Sequence, residues 1–465
     1  MATRRVDVLI IGAGTAGLAA YREISKHTHS YALVNDGPWG TMCARVGCMP
    51  SKALVEVATA FQRRAAFAAF GIRGGELLTI DRAAALAHVR ALRDQFVEET
   101  CKLTADLGDR AISGRAQLLD GHRVRVGADE ITADRIILAP GSRPAVPDRW
   151  AAFTDRLLTT DSLFEQATLP DRIAVLGLGP LGAELAQALA RLGSTVTAFD
   201  AKPTIAGLTD AKVNAALLAA LRTDVTIHLG HEVELARDGE ALRVTAGDVS
   251  VTVDRVLVAL GRTPNLAGLG LETLGVPLDA AGRPEVDPAT MRIGDTDVFL
   301  VGDAAGDRPI QHEAADEGHI AGLNARTPVV RRYQRRTPLA IVFTEPSVAL
   351  VGVHHAGLDP DTTVAGDASF VDQGRARLGL RGAGCVRLYA NTESGALVGA
   401  ELCAPEGEHL AHLLALAIER GSTVVDLLRA PLYHPTLEEG LREALHALAK
   451  QLPDPGGFEL ASEPA

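Results

Sequence analysis

The apolar residues at the start of the chain form blocks rather than a steady alternation. Val6, Val8, Leu9, Ile10 and Ile11 make a near-continuous run broken only by Asp7, the pattern of a strand buried on both faces. Gly12, Gly14 and Gly17 follow at once. Leu18 to Lys26 then reads as a helix and Tyr31 to Val34 as a second strand. A strand, a glycine turn, a helix and a strand in this order give the G-x-G-x-x-G spacing its meaning.

The same unit recurs later. Arg172 to Leu176 is a strand, and Gly177, Gly179 and Gly182 supply the turn. Leu181, Leu185, Leu189 and Leu192 recur at helical spacing, Gly193 fits the helix end, and Ser194 to Phe199 is the next strand, closed by Asp200. Further apolar strands run into turn residues at Ile136–Pro144, Val256–Asn265 and Val298–Gly306. From about residue 336 the texture changes. Strand-like segments at 341–343, 348–351, 385–389 and 397–400 precede helical stretches at 408–420 and from 436 to about 448, which predicts an α+β domain. The tail after Pro453 is polar and reads as disordered.

Glycine turns of this kind let a backbone approach a pyrophosphate, and the helix N-terminus behind them offers free N–H groups. An acid ending the second strand binds a ribose hydroxyl pair. Asp200 is that residue in the second unit, and its charge favours NAD over NADP. In the first unit the position is Asn35, which can hydrogen-bond a ribose without the charge.

Charge and composition narrow the function. A formal charge of -12 argues against nonspecific nucleic-acid binding. The cluster Arg331-Arg332-Tyr333-Gln334-Arg335-Arg336 reads as a solvated linker. No apolar stretch is long enough for a membrane span, and the glycine turn after Ile11 explains the early apolar run better than a signal peptide does. Five cysteines in 465 residues do not make a disulfide-stapled secreted fold, so a reducing, cytoplasmic setting is expected.

Two of those cysteines carry chemistry. Cys43 and Cys48 stand in Gly40-Thr41-Met42-Cys43-Ala44-Arg45-Val46-Gly47-Cys48-Met49-Pro50-Ser51-Lys52. No further ligands at zinc-site spacing accompany them, so no metal is expected. A structural disulfide closing so small a loop would stabilise little. A redox disulfide fits best: the pair lies soon after the first nucleotide unit, and a thiol at a helix N-terminus near a lysine forms thiolate readily.

C-x-x-x-x-C-x-P-S-K after a glycine-rich nucleotide turn resembles the class I pyridine nucleotide-disulfide oxidoreductases, and most of all their dihydrolipoamide dehydrogenases. The resemblance spans about residues 5 to 450. It implies an α/β fold with two Rossmann-like domains, for FAD and NAD, plus a C-terminal α+β dimerisation domain. The FAD domain would take residues 1–150 and 269–335, the NAD domain 151–268, the dimerisation domain 336–450, and a disordered tail 451–465. FAD contacts are implied at Gly12, Gly14, Gly17, Asn35, Gly40, Thr41, Lys52, Ala116, Gly141, Gly302 and Asp303. NAD contacts are implied at Gly177, Gly179, Gly182, Glu184, Asp200 and Gly261. Cys43 would be the interchange thiol and Cys48 the charge-transfer thiolate, with Lys52 paired to Glu184 near the flavin. His434 would be the base that deprotonates a substrate thiol, with Glu439 orienting it, and it would act across a homodimer. Thr436-x-x-Glu439 is also a capping box, which gives Glu439 a purely structural alternative.

The chain departs from the family at three places. Asn35 replaces a usual Glu, Gly40-Thr41-Met42-Cys43 a usual Gly-Gly-Thr-Cys, and Ala139-Pro140-Gly141 a frequent Ala-Thr-Gly. The implied reaction is oxidation of protein-bound dihydrolipoamide by NAD. The alternatives are an NAD(P)H-dependent reductase of another disulfide and a redox-silent flavoprotein scaffold. The tail lacks the cysteine pair of mercuric reductases, and Asp200 argues against glutathione-type NADP enzymes.

Overall fold

The computed structural model describes residues 3–453. Residues 454–465, most of the expected disordered tail, lie outside the described residues.

The first apolar run is a central strand, Thr3–Ile11, flanked in parallel by Tyr31–Asn35 and Asp129–Leu138. Ala111–Ser113 extends the sheet beyond Tyr31–Asn35. On its edge away from Thr3–Ile11, the long strand Asp129–Leu138 serves two further neighbours. Its first half pairs antiparallel with Arg123–Val126, and its last residues pair parallel with Val298–Leu300. A segment about 160 positions later thus completes the first sheet. Helix Gln311–Ala325 returns with it and packs on helix Thr15–Ile24. The approach is close because a Cβ at Gly318 would lie 2.0 Å from the Ala16 carbonyl oxygen.

The second unit builds a five-stranded parallel sheet in the order Thr226–Leu229, Thr195–Asp200, Arg172–Leu176, Arg255–Val258, Leu157–Leu158. A three-stranded antiparallel sheet over Glu234–Val253 sits beside it, with no counterpart in the periodicity reading. The two chain crossings between the sheets pair with each other, Ser142–Pro144 antiparallel to Arg262–Pro264.

The C-terminal part is a five-stranded antiparallel sheet with helices Gly407–Glu419, Val424–Arg429 and Glu439–Ala449. In its strand Ser347–Gly352 the run Val348 to Val351 is apolar, and both of its faces are covered. Val348 and Leu350 pack into the core around the second nucleotide unit, and Ala349 and Val351 into the core with the helices.

Two features differ from the sequence reading. Helix Arg82–Ala105, capped by Asp81, has so weak an amphipathic stripe that periodicity does not show it; it buries only Ala85, Leu86 and Val89. The basic cluster is not a solvated linker throughout. The Arg335 side chain is only 9% exposed and pairs with the buried carboxylates of Glu313 and Glu317 at 2.5 and 3.0 Å.

Candidate active site

The same turn is built twice. Gly12 and Gly177 have φ of 106° and 92°. A Cβ on Gly12 would meet the Ala139 carbonyl oxygen at 2.0 Å, and one on Gly177 the Ala259 oxygen at 2.5 Å. The third glycines are equally confined, since a Cβ on Gly17 or Gly182 would lie 1.8 or 1.9 Å from the oxygen of the first. The middle glycines, Gly14 and Gly179, face open space and cap their helices without a side chain. Each helix thus presents unsatisfied amides at an open approach. That fits the pyrophosphate of a dinucleotide in both units.

The second strands end on side chains that close these turns. Asp200 accepts from the Leu178 amide at 2.7 Å and the Lys202 amide at 2.8 Å. Asn35 accepts from the Ala13 amide at 3.1 Å and donates to the Gly37 and Pro38 carbonyls at 3.1 and 3.3 Å. Its donors are therefore committed to its own loop, and towards a ribose only acceptor capacity remains. A cavity of about 460 Å³ opens beside it, lined by Gly12, Asn35, Asp36, Arg115, Ala116 and Arg143 among others. Arg115 and Arg143 carry no motif spacing of their own and escape a sequence reading.

The thiols follow. Gly40 has a φ of 92°, and the Thr41 hydroxyl accepts from the Ala44 amide at 3.2 Å, capping the short helix Met42–Arg45 that carries Cys43. Cys48 opens helix Cys48–Gln62, so it stands in the first turn rather than ahead of the helix. The two thiols interact. The hydrogen bond from Cys43 lowers Cys48 from 9.0 to about 7, Lys52 helps, and burial opposes. The same hydrogen bond, with burial, pushes Cys43 up. The electrostatics of the pair therefore favour thiolate at Cys48 over Cys43.

Lys52, one turn further along that helix, donates to both Glu184 oxygens at 3.0 and 2.8 Å. Glu184 is 2% exposed and also accepts from the Phe343 amide at 2.8 Å. The Lys52 ammonium lies 4.8 Å from the centre of the Phe343 ring. One buried carboxylate therefore ties together the thiol helix, the helix of the second glycine turn and the C-terminal domain.

Asp303 lies in a single 3₁₀ turn, Gly302–Ala304, and the next helix starts only at Gln311. Asp303 therefore caps no α-helix. Its carboxylate accepts from the Ser142 hydroxyl at 2.5 Å. The Gly302 amide donates to Glu317 at 2.6 Å, and burial raises Glu317 to about 7 against the pull of Arg335. Gly141 and Gly261 sit at the start of the paired crossings with φ of 66° and 105°.

His434 and Glu439 stand apart from the thiols in the single chain. The His434 side chain is 81% exposed, and its Nδ1 lies 3.0 Å from a Glu439 oxygen. Glu439 also accepts from the Thr436 amide at 3.0 Å, and these two bonds hold its carboxyl below the usual range. One carboxylate makes both bonds, but the expected capping box does not form: the helix starts only at Glu439, and the Thr436 hydroxyl donates to the Tyr433 carbonyl at 2.7 Å.

Residues 6–318 match the profile of the pyridine nucleotide-disulphide oxidoreductases, and residues 339–445 match that family's dimerisation domain. The chain belongs to this family. Its cofactors are accordingly FAD and NAD, and the open glycine turns above fit both.

Among its relatives in the family, a dihydrolipoyl dehydrogenase of Thermus scotoductus is 31% identical over 463 residues, covering 96% of this chain and 98% of its own. A dihydrolipoyl dehydrogenase of Haloarcula marismortui is 29% identical, covering 95% and 96%. A mercuric reductase of Shigella flexneri is 30% identical, covering 96% of this chain and 81% of its own. The crystal structure of LpdA from Mycobacterium tuberculosis superposes with a TM-score of 0.82 at 26% identity, covering 96% and 99%. The flavoprotein disulfide reductase RclA of Escherichia coli shares the fold, with a TM-score of 0.82 at 22% identity over 95% and 99% of the two chains. No described helix is long and apolar enough to cross a membrane.

Proposed function

We propose that this oxidoreductase is a cytoplasmic dihydrolipoamide dehydrogenase, taking electrons from a protein-bound dithiol and delivering them to NAD. What supports this reading is the Cys43 and Cys48 pair, with Lys52 one turn along the Cys48 helix and bound to Glu184, in a chain 29% and 31% identical to two dihydrolipoyl dehydrogenases over nearly its whole length. The electrostatics of the pair favour thiolate at Cys48. Bound FAD supplies the two-electron relay between the dithiol and NAD.

The chain's own residues do the rest. His434 removes a proton from one substrate thiol, reaching it across a homodimer, and Glu439 holds its ring through Nδ1. The resulting thiolate attacks the Cys43 sulfur of the disulfide, and Cys48 leaves as thiolate. The second substrate thiol then displaces Cys43, so that the substrate leaves as a cyclic disulfide and the enzyme holds both electrons as the Cys43–Cys48 dithiol. Lys52 stabilises the Cys48 thiolate and is itself fixed by Glu184. The assignment of FAD to Gly12, Gly14, Gly17, Gly302 and Asp303, and of NAD to Gly177, Gly179, Gly182 and Asp200, belongs to the same reading.

The test is anaerobic. Dihydrolipoamide added to the purified holoenzyme is expected to raise a long-wavelength charge-transfer band, and NAD added next is expected to yield NADH. A band raised by NADH but not by dihydrolipoamide would keep the disulfide and reassign the substrate to another disulfide. No band with either reductant would refute the mechanism and favour a scaffold role.

A further inference from the structure

The paired crossings Ser142–Pro144 and Arg262–Pro264 are where the chain leaves the first nucleotide-binding sheet for the second and comes back. Arg262 stands on the returning crossing, directly after the left-handed Gly261. Its side chain does not point into solvent along the ribbon. Nε donates to the Ser142 hydroxyl at 2.7 Å, and Nη2 donates to the Ser142 carbonyl at 2.8 Å. Nη2 also contacts the Met42 sulfur, next to Cys43. The Ser142 hydroxyl in turn donates a hydrogen bond to Asp303, whose carboxylate lies 3.6 Å from Arg262 Nε. One guanidinium thus touches the outgoing crossing, the short helix bearing Cys43, and the carboxylate of the Gly302–Asp303 turn.

We propose that Arg262 is a positioning residue that clasps the interdomain ribbon onto Asp303 and onto the Cys43 helix, and so sets the geometry of the thiol–flavin pair. The inference rests on the flavin–thiol reading above. A planar fork with several fixed donors suits this task, because it holds Ser142 by two atoms at once. A lysine would keep the charge and lose the fork. Through Ser142, Arg262 aims the Asp303 carboxylate; without it, Asp303 faces a hydroxyl alone. Through Met42, whose thioether is only a weak acceptor, it fixes the Cys43 helix sterically more than electrostatically. The three contacts act on different readouts, which makes the roles separable.

The experiment compares wild type with Arg262→Gln, Arg262→Lys and Met42→Leu. Flavin is removed and rebound to the apoproteins, with Kd read from the change in flavin fluorescence. The charge-transfer absorbance of the reduced holoenzymes is recorded under anaerobic dithiol. Loss of a charge-assisted hydrogen-bond clasp is expected to weaken FAD binding by on the order of tenfold in Arg262→Gln, with a smaller loss in Arg262→Lys. Both are expected to show a diminished band per bound flavin. Met42→Leu is expected to bind FAD as wild type does while its band shifts. Circular dichroism of the apoproteins identifies a variant that fails to fold, and Arg262→Lys then carries the test. Folded Arg262 variants with wild-type Kd and wild-type band overturn the proposal, even if their melting temperature falls. A wild type without a band refutes the thiol–flavin reading itself, and the flavin Kd then decides on Arg262 alone.

Discussion

Replacing Cys43 by alanine removes the hydrogen bond that does most to hold Cys48 ionised. The remaining influences on Cys48 are burial and the Glu184 charge, which raise it, and Lys52 and a backbone hydrogen bond, which lower it, with burial the largest. In Cys43→Ala the Cys48 midpoint is therefore expected to rise from about 7 back towards the ordinary 9.0. A full return is worth ~2.7 kcal/mol in the preference for thiolate. At pH 7.5 the thiolate fraction would fall from about three quarters to a few per cent. Cys43→Ser keeps a hydroxyl donor in the same place and is expected to retain most of the depression. The assay is the pH dependence of Cys48 alkylation, with the other cysteines accounted for by peptide mapping. In the flavin-loaded variants the charge-transfer absorbance gives a second midpoint. The band is present above the midpoint and fades as pH falls through it, because acid removes the thiolate. A midpoint that stays near 7 in Cys43→Ala would refute the reasoning and assign the stabilised thiolate to Lys52 and the helix N-terminus.

Three further outcomes are expected. His434→Ala should slow the dithiol half-reaction by ~10²–10⁴-fold, the usual worth of a general base, while stopped-flow reduction of the flavin by NADH keeps its wild-type rate; equal loss in both halves would contradict the assignment. Asp200→Ala leaves the Leu178 and Lys202 amides without their acceptor and removes the charge that excludes a 2′-phosphate. Its kcat/KM for NAD should fall about tenfold or more, and the ratio of NAD to NADP efficiency should shrink, as steady-state kinetics with both coenzymes would show. Gly14→Ala should fold yet purify without flavin, because its Cβ enters the open pyrophosphate approach. Gly17→Ala should fail to fold stably, because its Cβ would lie 1.8 Å from the Gly12 carbonyl oxygen; flavin content and circular dichroism separate the two.

The sequence determined whatever is local. Strand runs, glycine triplets, the second-strand Asp200 and the spacing of Cys43 to Lys52 lie within short windows, where side-chain period and turn geometry fix the outcome. These windows also led to a specific family. They did not show helix Arg82–Ala105, whose weak apolar stripe leaves periodicity nothing to detect. They misjudged Arg335, since a cationic run looks solvated until Glu313 and Glu317 are placed beneath it.

The tertiary structure decided which distant groups meet and which lone pairs are spent. Lys52 and Glu184 are 132 positions apart, and Arg262 and Ser142 are 120 apart. Asn35 looked free to serve a ribose until its own loop was seen to take both amide hydrogens. The asymmetry of Cys43 and Cys48 is of the same kind. Spacing marks the two sulfurs as a pair, but which one favours the charge depends on a hydrogen bond, a half-buried ammonium held by a buried carboxylate, and the degree of burial. Those are properties of packed neighbours, and a linear pattern does not contain them.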